Sequence, residues 1–304
     1  HDSEPERWLG YQRRRDEFLQ SDDRFMWTID TFLDAQSGYF FEMNPSGLMG
    51  DSLMGGGIDN RQWDGIWNAK VHRSEIGWVI EIEIPFRSLN FDPNSDQWGI
   101  NFQRTVRRKN EDSIWMGWAR NQGLRRMTNA GLLQGINEVS QGLGLDVKPY
   151  GLAVAESSPG RGRTGFNSDV EGGLDVFYSP TPGLRSVLTV NTDFAQTEVD
   201  QRQVNLTRFS LFFPEKRDFF LDGAPYFAFG SPSSGDLIVN PFFSRRIGLT
   251  PSGTPQTINY GGKVTGQLGR QDVGFLHVRT GEDNGIVGEE FTVGRVRRRV
   301  LAQS

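Results

Sequence analysis

"TINYGGKVTGQLGRQDVGFLHVRTG", residues 257–281, decides how the second half of this chain is read. Tyr260, Gly262, Val264 and Gly266 alternate with Asn259, Gly261, Lys263, Thr265 and Gln267. Period two puts the first set on one face of a strand and the second set on the other. The four-residue turn "LGRQ" follows, then a second run, "DVGFLHVRT". Long strands, a short turn, apolar residues on one side and polar residues on the other are how a transmembrane β-barrel wall is written, in segments of about ten residues. A soluble antiparallel sheet with one wet face is the competing reading.

The same texture extends upstream. "GLDVKPYGLAVAES" (144–157) reads as extended, and "SDVEGGLDVFYSP" and "GLRSVLTVNTDFAQ" flank the turn "SPTPG". It begins after about Gly142, where Trp disappears: all eight Trp lie at or before Trp118. Upstream of that change the strands are shorter. "RFMWTIDTF" (24–32), "GYFFEMNPSG" (38–47), "WDGIWNAKVHR" (63–73), "GWVIEIEIPF" (77–86), "WGINFQRTVRR" (98–108), "SIWMGWAR" (113–120) and "AGLLQGI" (130–136) are separated by turn residues. Several short strands with turn signals between them predict a β-sandwich. Residues 1–20 are charged and read as a short helix or an ordered loop. The expected fold is therefore all-β: a sandwich over 1–142, then antiparallel strands of a partial transmembrane β-barrel over 143–304. The first residue, His1, and the ending "FTVGRVRRRVLAQS" read as a fragment of a longer protein.

Composition narrows the function. The chain has 304 residues, 37 Gly, 22 Phe and no Cys. Without Cys there is no disulfide framework and no thiolate metal site, which fits the cytosol and equally a disulfide-poor bacterial envelope. A net charge of −5 argues against a general nucleic-acid partner. No apolar run reaches the roughly 18 residues of a membrane-spanning helix, which excludes helical spans only.

"DDRFMWTIDTFLDAQSGYFFEMNPSG", "WDGIWNAKV", "GWVIEIEIPFRSLNF" and "WGINFQRTVRRKNE" resemble the family 9 carbohydrate-binding-module-like domain. "VNTDFAQTEVDQRQVNLTRFSLFFPEKRDFFLDGAPYF" (190–227) resembles the opening of the DUF5916-type region that often follows it, thought to form an outer-membrane barrel. The resemblance implies a bacterial outer-membrane location, with the N-terminal domain in the periplasm or at the barrel mouth, and contact with outer-membrane lipid through the barrel. It implies that the first strands of the module lie upstream of His1. It also places "FFPEKRDFFLDG" inside or at the mouth of the barrel, aromatics against the wall and charges paired within a water-accessible interior.

The candidate chemistry is thin. Glu81 and Glu83 share one strand face, a spacing open to a carboxylate pair, although an outward Glu pair on an amphipathic strand is ordinary. His1, His72 and His277 are far apart, and no nucleophile elbow or phosphate loop exists. Sugar binding needs aromatic faces and a few placed polar groups. Trp63, Trp67, Trp115 and Trp118 supply the faces, with Asp64, Asn101 and Arg104 as polar partners; each Trp has core packing as its other reading. Structural calcium, implied by the resemblance, would take oxygen ligands from Asp30, Asp34, Asp59 and Asp64. The leading expectation is a non-catalytic module that binds a polysaccharide or oligosaccharide on an outer-membrane barrel. The alternatives are a glycan hydrolase cleaving O-glycosyl bonds, with Glu81 or Glu83 as acid, and a structural or export component.

Overall fold

The computed structural model describes residues 4–55, 58–61, 63–117, 119, 123–140, 142–160, 163–192, 215, 217–228, 241–249, 256–282, 286–298 and 300. Among them the chain is all-β, with antiparallel sheets and one four-residue α-helix. The N-terminal region builds a seven-stranded sheet from β1 (Arg24–Asp30), β2 (Gly38–Met43), β3 (Met49–Gly55), β4 (Ile58–Asn60), β7 (Gln97–Val106), β8 (Glu111–Ile114) and β9 (Gly131–Gln134). Its order is β4-β3-β2-β1-β7-β8, and β9 pairs with the first half of β7.

β1 is central and is covered on both faces. Trp27 and Ile29 enter a core with Tyr39, Phe41, Met43, Trp67, Leu89, Phe91 and Trp98. Met26, on the opposite face, packs with Phe40, Met54, Leu124 and Met127. The first core is roofed by a two-stranded sheet, β5 (Asn68–Ser74) and β6 (Gly77–Glu83), whose Ala69, Val71 and Ile80 pack down onto it. The hairpin falls where the sequence puts it, with Ser74 opposite Gly77. The strand expected over 63–73 is shorter. It starts at Asn68, because Trp63 and Trp67 dip into the aromatic core first and leave the chain between them irregular. Residues 4–23 form an ordered loop with one 3-10 turn (Pro5–Arg7). Asp23 accepts from Leu9 N and Asp22 from Gln12 N, and together they pin the loop to the sheet.

The second sheet is a six-stranded antiparallel meander: β10 (Leu145–Gly160), β11 (Arg163–Thr181), β12 (Leu184–Thr192), β13 (Ile258–Leu268), β14 (Gln271–Thr280) and β15 (Glu290–Arg298). Among the described residues β10 and β15 do not pair, so the sheet is open. Its register separates two faces sharply. Val147, Val176, Leu188, Gly262 and His277 stand on one face, in rows that also contain Leu174, Val190, Val264, Phe275 and Val296. These side chains are mostly exposed: Leu188 is 59% and Phe275 52% accessible. The opposite face carries Asp175, Thr189, Lys263, Thr265, Gln267 and Asp272, all buried. On β14 and β15 the exposed apolar belt gives way to His277, Thr292 and the Arg279–Glu290 ion pair.

The polar face is buried because another part of the chain lies on it. Helix α1 (Asp218–Leu221) and the 3-10 turn Ala224–Phe227 place Phe219, Phe220 and Phe227 against Phe177, Val187, Leu276 and Val278. Two glycines of the wall make room for this. A Cβ on Gly261 would lie 3.0 Å from the Phe219 ring, and one on Gly274 3.1 Å from the Phe227 ring. Of the stretch 208–230, residues 208–214, 216, 229 and 230 lie outside the described residues. For the rest, Phe219, Phe220 and Phe227 pack on the meander. The charge in the middle is neutralised locally: Arg217 is held by Glu215 and donates to the Ile247 and Ser244 carbonyls.

Candidate functional site

One end of the meander carries the two-residue turns Pro182–Gly183 and Gly269–Arg270. The N-terminal region sits against this end. Phe91 N donates to the Pro182 carbonyl (3.0 Å), and Gln267 Nε2 donates to Asp34 Oδ2 (2.8 Å). Between the two sheets lies a cavity of about 520 Å³, within the range of small-ligand clefts, roughly 300–1,000 Å³.

Three parts of the chain wall it. The N-terminal region contributes Phe32, Trp63, Asp64, Arg87 and Asn90; the meander contributes Asp146, Lys148, Arg185 and Arg297; the inner segment contributes Asp218, Asp222 and Tyr226. Most of these charges are paired, two of the pairs joining the meander to residues 218–222. Lys148 pairs with Asp218 (3.1 Å), Arg185 with Asp222 (2.5 Å), and Arg297 Nε donates to Asp272 (2.7 Å). The result is a site dense in hydrogen-bonding groups, with nearly balanced charge and an indole and a phenol on its walls.

The wall nearest the N-terminal region is a loop built by two carboxylates. Asp30 accepts from the backbone of Phe32, Asp34 and Ala35, and Asp34 from Gln36 N, Ser37 N and Ser37 Oγ. These bonds hold Leu33 and Ala35 at positive φ, which neither residue favours. Asp30 is almost fully buried, and burial followed by the neighbouring Asp34 charge pushes its carboxyl up to about 7.

The expected metal ligands fall in three places. Asp30 and Asp34 build the loop just described. Asp59 pairs with Arg125. Asp64 joins Asp16 and Asp51, with carboxylate oxygens mutually within 4.8 Å. Arg15 lies among these three, 2.6 Å from Asp51 and 2.8 Å from Asp64, and supplies the positive charge that a cation would bring. Asp51 is fully buried. Burial pushes its carboxyl up to about 7, against the opposing pull of the Trp67 hydrogen bond and Arg15.

The expected sugar-binding residues also separate. Trp63 and Asp64 reach the cavity. Trp67 is a core residue, stacked edge-on against Trp27 and Phe41 and donating to Asp51 Oδ2 (2.6 Å). Asn101 is buried and spans to Met116, donating to its carbonyl and accepting from its N–H. Trp115 is half-exposed and packs on Phe102, while Arg104 lines a smaller apolar cleft with Phe25, Trp78, Ile80 and Ile82. Trp118 lies outside the described residues. Glu81 and Glu83 project outward from β6, opposite Lys70 and Asn68, away from the cavity. Arg185, Asp222, Asp146 and Tyr226 were not legible as site residues, because they meet Trp63 only once the inner segment folds back onto the meander.

Asp30 and Asp51 give the stability a defined pH dependence. Unfolded, each ionises near 3.9. Folded, each holds its proton up to about 7. Between these values the native state binds more protons than the unfolded chain, so both groups make stability fall as pH rises from about 4 to about 7. Chemical denaturation followed by Trp emission reports the N-terminal region alone. It is expected to give a steeper loss over this window in the native protein than in Asp51→Asn, by up to about 4 kcal/mol for three pH units. Identical slopes would show that Asp51 is ionised with the unfolded chain's affinity.

Residues 142–270 match the family model described as "Domain of unknown function (DUF5916)". That match covers β10 to β13 and residues 217–228, which lie on the meander's polar face. It does not reach the N-terminal region. No curated protein matches the chain. No solved structure matches it.

Proposed function

We propose that the chain belongs to an outer-membrane-type β-barrel protein whose N-terminal β-sandwich-like domain closes the short-turn mouth and binds a glycan there without cleaving it. The observation that carries this reading is the inverted meander. A sheet that turns Leu188, Val190 and Phe275 outward and buries Asp175, Lys263 and Asp272 is built the wrong way round for water. It is the right way round for a barrel wall facing lipid, with a polar interior. Strands β12 to β15 have 9, 11, 10 and 9 residues, against the roughly 9–11 that cross a bilayer at a tilt. Short turns mark the periplasmic end of such barrels, and the N-terminal region contacts that end.

The glycan reading draws on Trp63 at the wall of a cavity whose charges are mostly paired, which favours a neutral, hydroxyl-rich ligand over an ionic one. Glu81 and Glu83 stand away from the cavity and support no hydrolytic role.

The absence of Cys makes the membrane reading directly testable, because one introduced thiol reports alone. The chain, refolded into phosphatidylcholine vesicles, would carry a polarity-sensitive thiol dye at Val190→Cys, Phe275→Cys or, for the inner face, Thr189→Cys. The outer positions are expected to be quenched by brominated lipid tails; the inner position, buried on the polar face, is not. Water-like, unquenched emission at both outer positions would discard the barrel. Loss of binding to neutral hexasaccharides in Trp63→Ala, but not in Trp115→Ala, is the matching expectation for the cavity.

A further inference from the structure

The floor of the cavity is the inner segment, and its mode of attachment bears on what passes through. We infer that residues 217–228 are a fixed plug, so that the mouth cavity is blind and serves capture rather than passage. This deepens the reading of the cavity as a binding site and rests on it.

The attachment is made on four sides of the segment. Phe219 and Phe227 sit over Gly261 and Gly274, where even a Cβ would press on the rings. Lys263, buried within the sheet, donates its Nζ to the carbonyls of both Phe219, inside α1, and Asp222, the first residue beyond it. Arg295 Nη1 donates to the Tyr226 carbonyl (2.8 Å). At the cavity surface Arg185 and Lys148 clamp Asp222 and Asp218. Phe219, Phe220, Leu221 and Phe227 are all buried. A segment held by its two ion pairs alone would come away when salt screened them. This one is also held by four buried apolar side chains and by carbonyl bonds to buried or half-buried cations in the wall, and salt screens those far less.

Thr265 lies under the plug: it is buried, and a Cβ on Gly223 would collide with it. Thr265→Cys is therefore a reporter that needs neither lipid nor sugar. In the full chain, refolded in detergent, its modification by a small charged methanethiosulfonate is expected to be about a hundred-fold slower than in urea. The protection is expected to survive 1 M NaCl and a neutral hexasaccharide unchanged. Adding Phe227→Leu should weaken it, and Phe219→Ala with Phe227→Ala should abolish it while the strand signal in circular dichroism persists. Rapid modification in the otherwise native chain, or protection that collapses in salt or with the sugar, would overturn the fixed plug and restore passage. Protection unaffected by either Phe variant would also overturn it, since the plug would then not be what shields Thr265. Failure of the vesicle experiment would leave these outcomes readable, which separates the two ideas.

Discussion

Trp67→Ala is expected to destabilise the N-terminal region by about 4–8 kcal/mol, most of the stability of a small domain. The indole is 4% exposed and fills the space between Trp27 and Phe41, and truncating a core Trp alone removes about 3–5 kcal/mol. The same change deletes the Nε1–H donor to Asp51, a buried carboxylate that already has Oδ1 without a partner. Leaving a buried acceptor short of a donor adds about 1–3 kcal/mol. Trp67→Phe keeps most of the volume and isolates that second part. Trp115→Ala, at a half-exposed ring, should shift stability by less than about 1 kcal/mol. Guanidinium denaturation followed by the emission of the remaining Trp measures all three. Equal, small effects at Trp67 and Trp115 would mean that Trp67 is a surface platform, as a sugar site would have used it.

Gly223→Ala should do comparable damage in the second region, about 3 kcal/mol. Gly223 has φ +69, the left-handed region, where a side chain costs roughly 1–2 kcal/mol. Its Cβ would also run into Thr265 on the wall. Yielding there would displace Asp222, whose carbonyl meets Lys263 and whose carboxylate meets Arg185. Gly269, in the β13–β14 turn, is the control: φ is +61, but open space surrounds a Cβ, so Ala there should bring only the backbone part. Pairing Gly223→Ala with Thr265→Ala should recover the steric part and leave the backbone part. No Trp lies in this region, so thermal unfolding by circular dichroism or resistance to limited proteolysis is the readout. Gly223→Ala behaving like Gly269→Ala would mean that the inner segment does not press on the wall.

Legibility differed between the two regions for a physical reason. The β5–β6 hairpin, the β7–β8 pair and the β13–β14 hairpin were readable because local period and turn chemistry act within a dozen residues. The candidate site was half-readable. Trp63 and Asp64 do reach the cavity, but Trp67, Asn101 and Trp115 do not join them. A Trp on a strand looks the same in sequence whether it becomes core or platform, and only burial decides between them. The partners of the carboxylates were not legible for a similar reason. Asp30 and Asp34 accept from backbone N–H groups of their own loop. Asp64 and Asp51 find Arg15, 36 or more residues earlier in the chain.

The sequence by itself determined the all-β class, the change of texture near Gly142 and the two-faced character of the meander, since a strand's side chains alternate whatever surrounds it. Which face would be buried was not decided there. Lys263 and Asp272 are buried, and Leu188 and Phe275 exposed, because residues 217–228 return across the polar face, fit Phe219 and Phe227 over Gly261 and Gly274, and give the wall's cations carbonyls to bind. That return is a long-range event carried by steric fit and electrostatic pairing, neither of which has a period that a sequence displays.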